Sequence, residues 1–243
     1  MSLQQEQAAL LKEFGSPIGG RKSDQAYGML KRAILLRHYP PETQILEQTL
    51  AGELHCSQST IREALLNLAK DGLVERRGYQ GTVVTATSLA EAASMVEVRL
   101  TIERKIAISL SRSGAPATSP RLTAVLEQMD QAHKDQDFYA GSELDRLFHS
   151  ELAIVAGMPL VSPILQRCAL HIHRFTFGGV EVPREFLQEA GIGAEHRALL
   201  EELYSGCEVR AEVAIVHHLA HVLDRWAPSL HHAVGPETFA VPA

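Results

Sequence analysis

Ser57-Gln-Ser-Thr-Ile-Arg-Glu-Ala-Leu-Leu-Asn-Leu-Ala-Lys70 decides how the first third of this 243-residue chain reads. Ile61, Ala64, Leu65 and Leu68 recur at three- and four-residue spacing and form one apolar stripe of a helix. Gln58, Ser59 and Arg62 fall on the other side, near the N-terminal end. Ser57 suits an N-cap because its hydroxyl accepts a backbone N–H of the first turn. Asp71-Gly72 ends the helix. Working upstream, Tyr27, Leu30, Ile34 and Leu35 set a helical pattern from Ser23 that Pro40-Pro41 stops. Leu46 to Leu54 reads as a second, short helix, with His55-Cys56 as the turn. Downstream, Leu73–Arg77 and Thr82–Thr85 are β-prone runs on either side of Gly78-Tyr-Gln-Gly81, which predicts a hairpin. Three helices followed by a β-hairpin are the order of a winged helix-turn-helix.

A helix that reads DNA needs this division of faces. Its first turns enter the major groove, polar side chains reach base edges, and an Arg bonds both O6 and N7 of guanine. Ser57 and Thr60 can bond phosphate oxygens, aided by the free N–H groups of the helix start. Arg76 and Arg77 flank the hairpin tip, Gly81 permits close backbone approach, and Gln80 can reach the minor groove. The expected DNA-binding set is therefore Ser57, Gln58, Ser59, Thr60, Arg62, Arg76, Arg77, Gln80 and Gly81. A polar, exposed helix of an ordinary small helical domain gives the same pattern with no DNA to read.

The net charge of −6 argues against nucleic acid until its distribution is seen. Residues 21–88 carry 9 Lys+Arg against 7 Asp+Glu, whereas residues 89–243 carry 13 against 20. The sign changes near residue 88, and 10 of the 12 histidines follow it. The expected organisation is a loose arm over 1–20, a winged helix-turn-helix over 21–87, an all-helical domain over 88–232, and a tail over 233–243. Helical segments are predicted at about 88–112, 119–135, 137–156, 158–177, 183–205 and 207–230, punctuated by Gly114-Ala-Pro116, Gly157, Gly178-Gly179 and Gly206. The fold class is thus mainly α: a small hairpin in the first domain, then an antiparallel bundle of six to seven helices. No apolar run approaches the roughly 18–20 residues of a membrane helix, so no membrane partner is expected. Three dispersed cysteines without a C-x-x-C fit a reducing, cytoplasmic setting.

Asp145 and His149 stand four residues apart on one predicted helix, so their side chains share a side. His196 follows on a later helix and His218 on the last, between Ile215 and Val222 on its apolar side. One carboxylate and three imidazoles on three helices suit a divalent transition metal such as Zn, Ni, Mn or Fe. Surface or hydrogen-bonded histidines of a histidine-rich domain give such a set by chance as well. His217 aligns with Asp224 and is expected in solvent; His231 and His232 are expected exposed near a frayed end.

Two groups of motifs carry a resemblance. Ile45-Leu-Glu-Gln-Thr-Leu-Ala51, Ser57-Gln-Ser-Thr-Ile-Arg-Glu-Ala-Leu65, Asp71-Gly-Leu-Val74 and Gly81-Thr-Val-Val84 resemble the DNA-binding domain of GntR-family transcription regulators. Departures are Gln58 for a usual Arg, Thr60 for Pro, Gln80 for a wing Arg, and Arg37 and Glu42 for two usual glycines. The lost basic contacts imply weaker phosphate affinity, and Gln prefers adenine where Arg prefers guanine. Glu97-Val-Arg99 with Glu103, Asp145-Arg-Leu-Phe-His149, Glu195-His196 and His218-Leu219 resemble the FCD ligand-binding domain of the FadR subfamily. That resemblance implies a metal at Asp145, His149, His196 and His218, with open positions for water or a small carboxylate effector. It also implies a homodimer. Arg99 matches the family's first-helix arginine and could pair with the effector carboxylate; His173 and Arg174 could line the cavity.

The expected function is a ligand-responsive regulator, a repressor, that binds a double-stranded operator as a dimer. A metal-free regulator of larger acyl ligands is the alternative within the family. A metal-dependent hydrolase would need a general base beside the site, for which Glu195 and Glu143 are the nearest choices. An attached winged helix has no use there, so the chain is not expected to be an enzyme.

Overall fold

The computed structural model describes residues 21–113, 119–177 and 191–241, except the side chain of Gln80. The arm expected over 1–20 lies outside the described residues. The described residues divide into two compact units, one before and one after the Thr87–Ser88 boundary.

In the first unit, α1 (Lys22–Leu35), α2 (Glu47–Glu53) and α3 (Gln58–Lys70) surround Leu30, Ile34, Ile61, Ala64 and Leu68, all at most 3% exposed. The Ser57 hydroxyl caps α3 by accepting the Thr60 N–H at 3.2 Å. The hairpin forms from β2 (Val74–Arg76) and β3 (Thr82–Val84), joined by a short 3-10 turn at Gly78–Gln80. Gly78 and Gly81 have φ of 45° and 73°, which permit this tight return. The sheet has a third strand that the pattern did not show. β1 (Gln44–Ile45) pairs antiparallel with β3, so the order is β1-β3-β2. Two residues are too few for alternation to register; Val83, set opposite both Gln44 and Glu75, supplies the partner.

Arg37 and Glu42, the two residues standing for usual glycines, keep left-handed backbones with φ of 60° and 69°. Such a conformation strains an L residue by about 1–2 kcal/mol. Arg37 is exposed just after α1. Arg37→Gly therefore stabilises the first unit by about 0.5–1 kcal/mol, after allowing for the freer unfolded glycine chain. A thermal melt checks it: an unchanged or lower midpoint would show that the backbone strain is relieved elsewhere.

The second unit contains seven helices among the described residues. They are α4 (Leu89–Arg112), α5 (Pro120–Lys134), α6 (Phe138–Val155), α7 (Ser162–Thr176), α8 (Ile192–Leu203), α9 (Glu208–Trp226) and α10 (Pro228–Val234). Ser88 and Glu91 close a capping box on α4, each side chain taking the other's backbone N–H. α4 runs through the middle and packs on α7, α9 and α10. Leu100, Ile106, Leu110, Phe148, Leu152, Ile215 and Leu219 form the core around it. Gly193, at the start of α8, lets that helix close on α5. A Cβ there would lie 3.1 Å from the Leu126 carbonyl oxygen and 2.1 Å from Asp130 Oδ1.

Three boundaries differ from the sequence reading. Pro159–Val161 is a separate 3-10 turn before α7. The segment expected over 183–205 is helical from Ile192, its earlier part lying outside the described residues. Ala227-Pro228 breaks the last helix, and residues beyond 232 continue as the end of α10 and a 3-10 turn, Pro236–Phe239, rather than as a tail. Leu230 and Val234 are buried, and the Arg104 guanidinium donates to the Thr238 and Ala240 carbonyls at 3.1 and 2.7 Å. His231 is accordingly half-buried, 3.2 Å from Asp224 and against the Phe239 ring, not free in solvent.

Candidate DNA-reading face and metal centre

On α3 the apolar stripe faces inward, while Gln58, Ser59 and Arg62 are exposed. Ser57 uses its oxygen for the cap and lies 2.7 Å from the Ser59 and 2.8 Å from the Thr60 hydroxyls. These hydroxyls share a hydrogen-bond chain at the helix start, where backbone N–H groups are free to meet an anion. Gly81 is exposed at the wing, and its neighbour Tyr79 is fully so. The side chain of Gln80 lies outside the described residues.

The expected basic residues are not bare. Arg62 Nε donates to Glu47 Oε2 at 2.6 Å, and Arg76 Nη2 to Glu47 Oε1 at 3.1 Å. One carboxylate on α2 thus joins the reading helix to the wing. Arg77 donates to Glu75 at 2.6 Å and grips both oxygens of Glu42, one of them at 3.0 Å. The Arg77 hydrogen bonds hold the Glu42 carboxyl below its ordinary range. Sequence reasoning did not include Glu42 or Glu47 in the site. Their separation from the arginines by 15 to 35 residues hides the pairing.

In the second unit α6, α8 and α9 bring Asp145, His149, His196 and His218 together. One ligating atom from each lies within 4.8 Å of the others. His196 Nε2 is 3.1 Å and His149 Nε2 3.5 Å from Asp145 Oδ1. The His218 ring centre is 4.7 Å from that of His196 and 5.3 Å from that of His149. Phe148, fully buried, packs edge-on against His149 and His196 and fixes both rings. His196 Nδ1 meets the Ile192 carbonyl at 2.7 Å. That contact fixes the ring with Nε2 turned toward Asp145 Oδ1, where a ligand position would lie.

Charge organises the rest of the cluster. Burial pushes the Asp145 carboxyl up, but the surrounding His149, His173 and His196 hold it well below its ordinary range. Glu103, absent from the expected site, lies 3.0 Å from His149 Nδ1 and pairs with Arg99 Nε at 2.8 Å. Against the upward push of burial, Arg99 and then His149 bring Glu103 down to about 2. Burial, with His196 and His149 adding like charge, keeps His218 neutral, its pKa well below normal. The i,i+4 spacing of Arg99 and Glu103 was the available signal for Glu103.

Of the three expected effector contacts, Arg99 is 2% exposed and divided between Glu103 and Asp145, the latter at 3.7 Å. His173 Nε2 approaches Asp145 Oδ2 to 3.5 Å, and Arg174 is buried beside it in sequence. A tight void lined by Glu103, Ile106, His149, Leu152 and Ile215 adjoins the cluster, with no room for a water molecule. Glu195 and Glu143, the possible bases, pair instead with Arg225 and Arg146. His217 and His221 are exposed.

The donor chemistry fits a divalent cation. Asp145 Oδ2, His149 Nε2 and His218 Nε2 are buried without hydrogen-bond partners. Buried polar atoms are costly when unpaired, and a cation shared by a carboxylate and three imidazoles would satisfy them.

Residues 22–84 match the family described as bacterial regulatory proteins, gntR family, and residues 94–221 match the FCD domain. The chain belongs to the GntR family, in its FCD-containing kind. This regulator is 27% identical over 217 residues to an HTH-type transcriptional regulator in an unstable DNA locus of Streptomyces ambofaciens, covering 89% of each chain. It is 24% identical over 203 residues to the HTH-type transcriptional repressor RspR of Escherichia coli, covering 82% of this chain and 86% of RspR. The solved structure of E. coli McbR/YncC shares its fold, with a TM-score of 0.64 at 17% identity over 89% of this chain and all of that one. The matched domains and relatives are transcription regulators, not enzymes. No described helix of the regulator is long and apolar enough to cross a membrane.

Proposed function

We propose that this FadR-type GntR regulator represses transcription in the cytoplasm, binding a two-fold operator as a homodimer and releasing it when a small carboxylate binds beside a metal in the helical unit. The observation that carries the sensing half is the cluster of Asp145, His149, His196 and His218, with ligating atoms within 4.8 Å and buried donors left unpaired. A bound metal would supply a Lewis-acid centre with positions open to water or carboxylate. The chain's own part is to hold it: Glu103 orients His149, the Ile192 carbonyl orients His196, and Arg99 balances the buried carboxylates. Arg99, His173 and Arg174 are the effector-side residues of this reading. RspR is a repressor, which favours that sign of regulation. A coupling of about 1–3 kcal/mol between effector and operator suffices for a useful response.

Ser57, Gln58, Ser59, Thr60, Arg62, Arg76, Arg77, Gln80 and Gly81 form the DNA side of this reading. The exposed polar side of α3 beside the wing supports it. Arg62→Ala is expected to weaken binding to an operator duplex, selected by the protein from a random pool, by about 1–3 kcal/mol. Anisotropy titration measures this; unchanged affinity removes Arg62 from the interface.

A further inference from the structure

We infer that Glu42 and Glu47 are specificity-determining residues that mask the arginines of the reading face against non-operator DNA. The inference rests on the proposed DNA-reading role of Arg62, Arg76 and Arg77. All three guanidinium groups are already matched to carboxylates. Glu47 takes Arg62 at 2.6 Å and Arg76 at 3.1 Å, one oxygen each. Glu75 and Glu42 share Arg77. At Arg62, Arg76 and Arg77 the reading helix and the wing therefore present ion pairs, not free cations.

Two features set these pairs apart from ordinary surface contacts. Glu47 is only 20% exposed, at the wall of a groove also lined by Ile45, Leu46, Gly78, Gly81 and Thr82. A carboxylate partly withdrawn from water attracts its partners more strongly than a fully solvated one. Glu42 holds a left-handed backbone with φ of 69°, where glycine would be unstrained. Its side chain grips Arg77 through both oxygens. A planar guanidinium held in this way donates two N–H groups at once and has fewer left for a phosphate.

Any DNA offers phosphates, and non-specific binding is almost wholly their attraction for cations. A phosphate alone must compete with a carboxylate already in place. The operator adds base-edge hydrogen bonds to the same arginines, which tips the exchange only at the matching sequence. The acidic residues thus lower the background more than the specific complex. Exposed ion pairs are weak and screened by salt, so the effect is several-fold, not orders of magnitude.

The test uses full-length Glu42→Gln and Glu47→Gln proteins, with Glu42→Gly as a second way to remove the bidentate partner of Arg77 without straining the backbone, Glu75 remaining on its Nε. Anisotropy titrations follow binding to a mixed-sequence duplex across a potassium chloride series, and to the duplex that the parent enriches from a random pool. Each variant is expected to bind the mixed-sequence duplex roughly three- to tenfold tighter. The slope of log affinity against log salt should steepen by about one for each arginine released, so most for Glu47→Gln, which frees Arg62 and Arg76, and by less than one for the Glu42 variants, in which Glu75 still holds Arg77. Affinity for the enriched duplex should move by less, so discrimination falls. Unchanged binding to the mixed-sequence duplex, or weaker binding to both, would overturn the inference while leaving the DNA-reading role intact. A parent that enriches no duplex refutes that role instead, and the masking falls with it.

Discussion

Asp145→Asn is expected to abolish the stoichiometric metal uptake proposed for the helical unit. Asp145 is the single carboxylate among the four clustered groups, with His149 and His196 nitrogens 3.5 and 3.1 Å from one oxygen. Removing a directly ligating charge should cost more than the roughly 10–100-fold lost with an outer hydrogen-bond partner. In the parent, metal at about a thousand times its dissociation constant adds about 4 kcal/mol to the folded state. For a unit of this size that is about 8–16 °C in unfolding temperature, lost on chelation and missing in the variant. Because Asp145 also faces Arg99, His218→Ala provides a gentler second variant. The His218 Nε2 has no hydrogen-bond partner to lose. Elemental analysis after reloading with Zn, Ni, Mn or Fe decides the matter: equal metal in parent and both variants would remove the centre from this account.

Arg99→Met is expected to destabilise the metal-free helical unit by about 3–5 kcal/mol. Arg99 and Glu103 are each 2% exposed and lie on successive turns of α4, the helix at the middle of the bundle. Arg99 also faces Asp145 across 3.7 Å. Without the guanidinium, two buried carboxylates keep only imidazoles for company. Arg99→Lys keeps the charge but loses the planar fork, so its cost should fall between parent and methionine. The sole tryptophan, Trp226, lies on α9 and reports this unit's urea unfolding by fluorescence. Metal should restore part of the loss in Arg99→Met by placing positive charge against Asp145. A change below about 1 kcal/mol would mean that the carboxylates take up protons or water at little expense.

Local signals made most of the first unit legible. The stripe Ile61, Ala64, Leu65 and Leu68, the Ser57 cap and the glycine-bounded turn at 78–81 are patterns written over neighbouring residues. Each sets local geometry by itself through cap hydrogen bonds, apolar periodicity or a permissive φ. The Asp145–His149 spacing is of the same kind, since one helical turn places both side chains together. His196 and His218 were candidates by residue type, and His218 by its place on an apolar helix side, but only the resemblance joined them to Asp145 and His149, because nothing local says which helices meet.

Long-range packing decided the remainder. β1 exists because β3 offers it a partner, and two residues carry no signal alone. Glu47 meets Arg62 and Arg76, and Glu42 meets Arg77, across turns whose geometry is set by the assembled unit. Glu103 joins the histidine cluster because α4 passes through the bundle's centre, and the chain after 232 is held by Arg104. Composition and order along the chain thus determined the helices, the wing and the residue types available to a site. Only the fold determined which charges are neutralised and which donors stay unpaired, because electrostatic partnership depends on distance through space and on exclusion of water, neither of which is a property of neighbours in sequence.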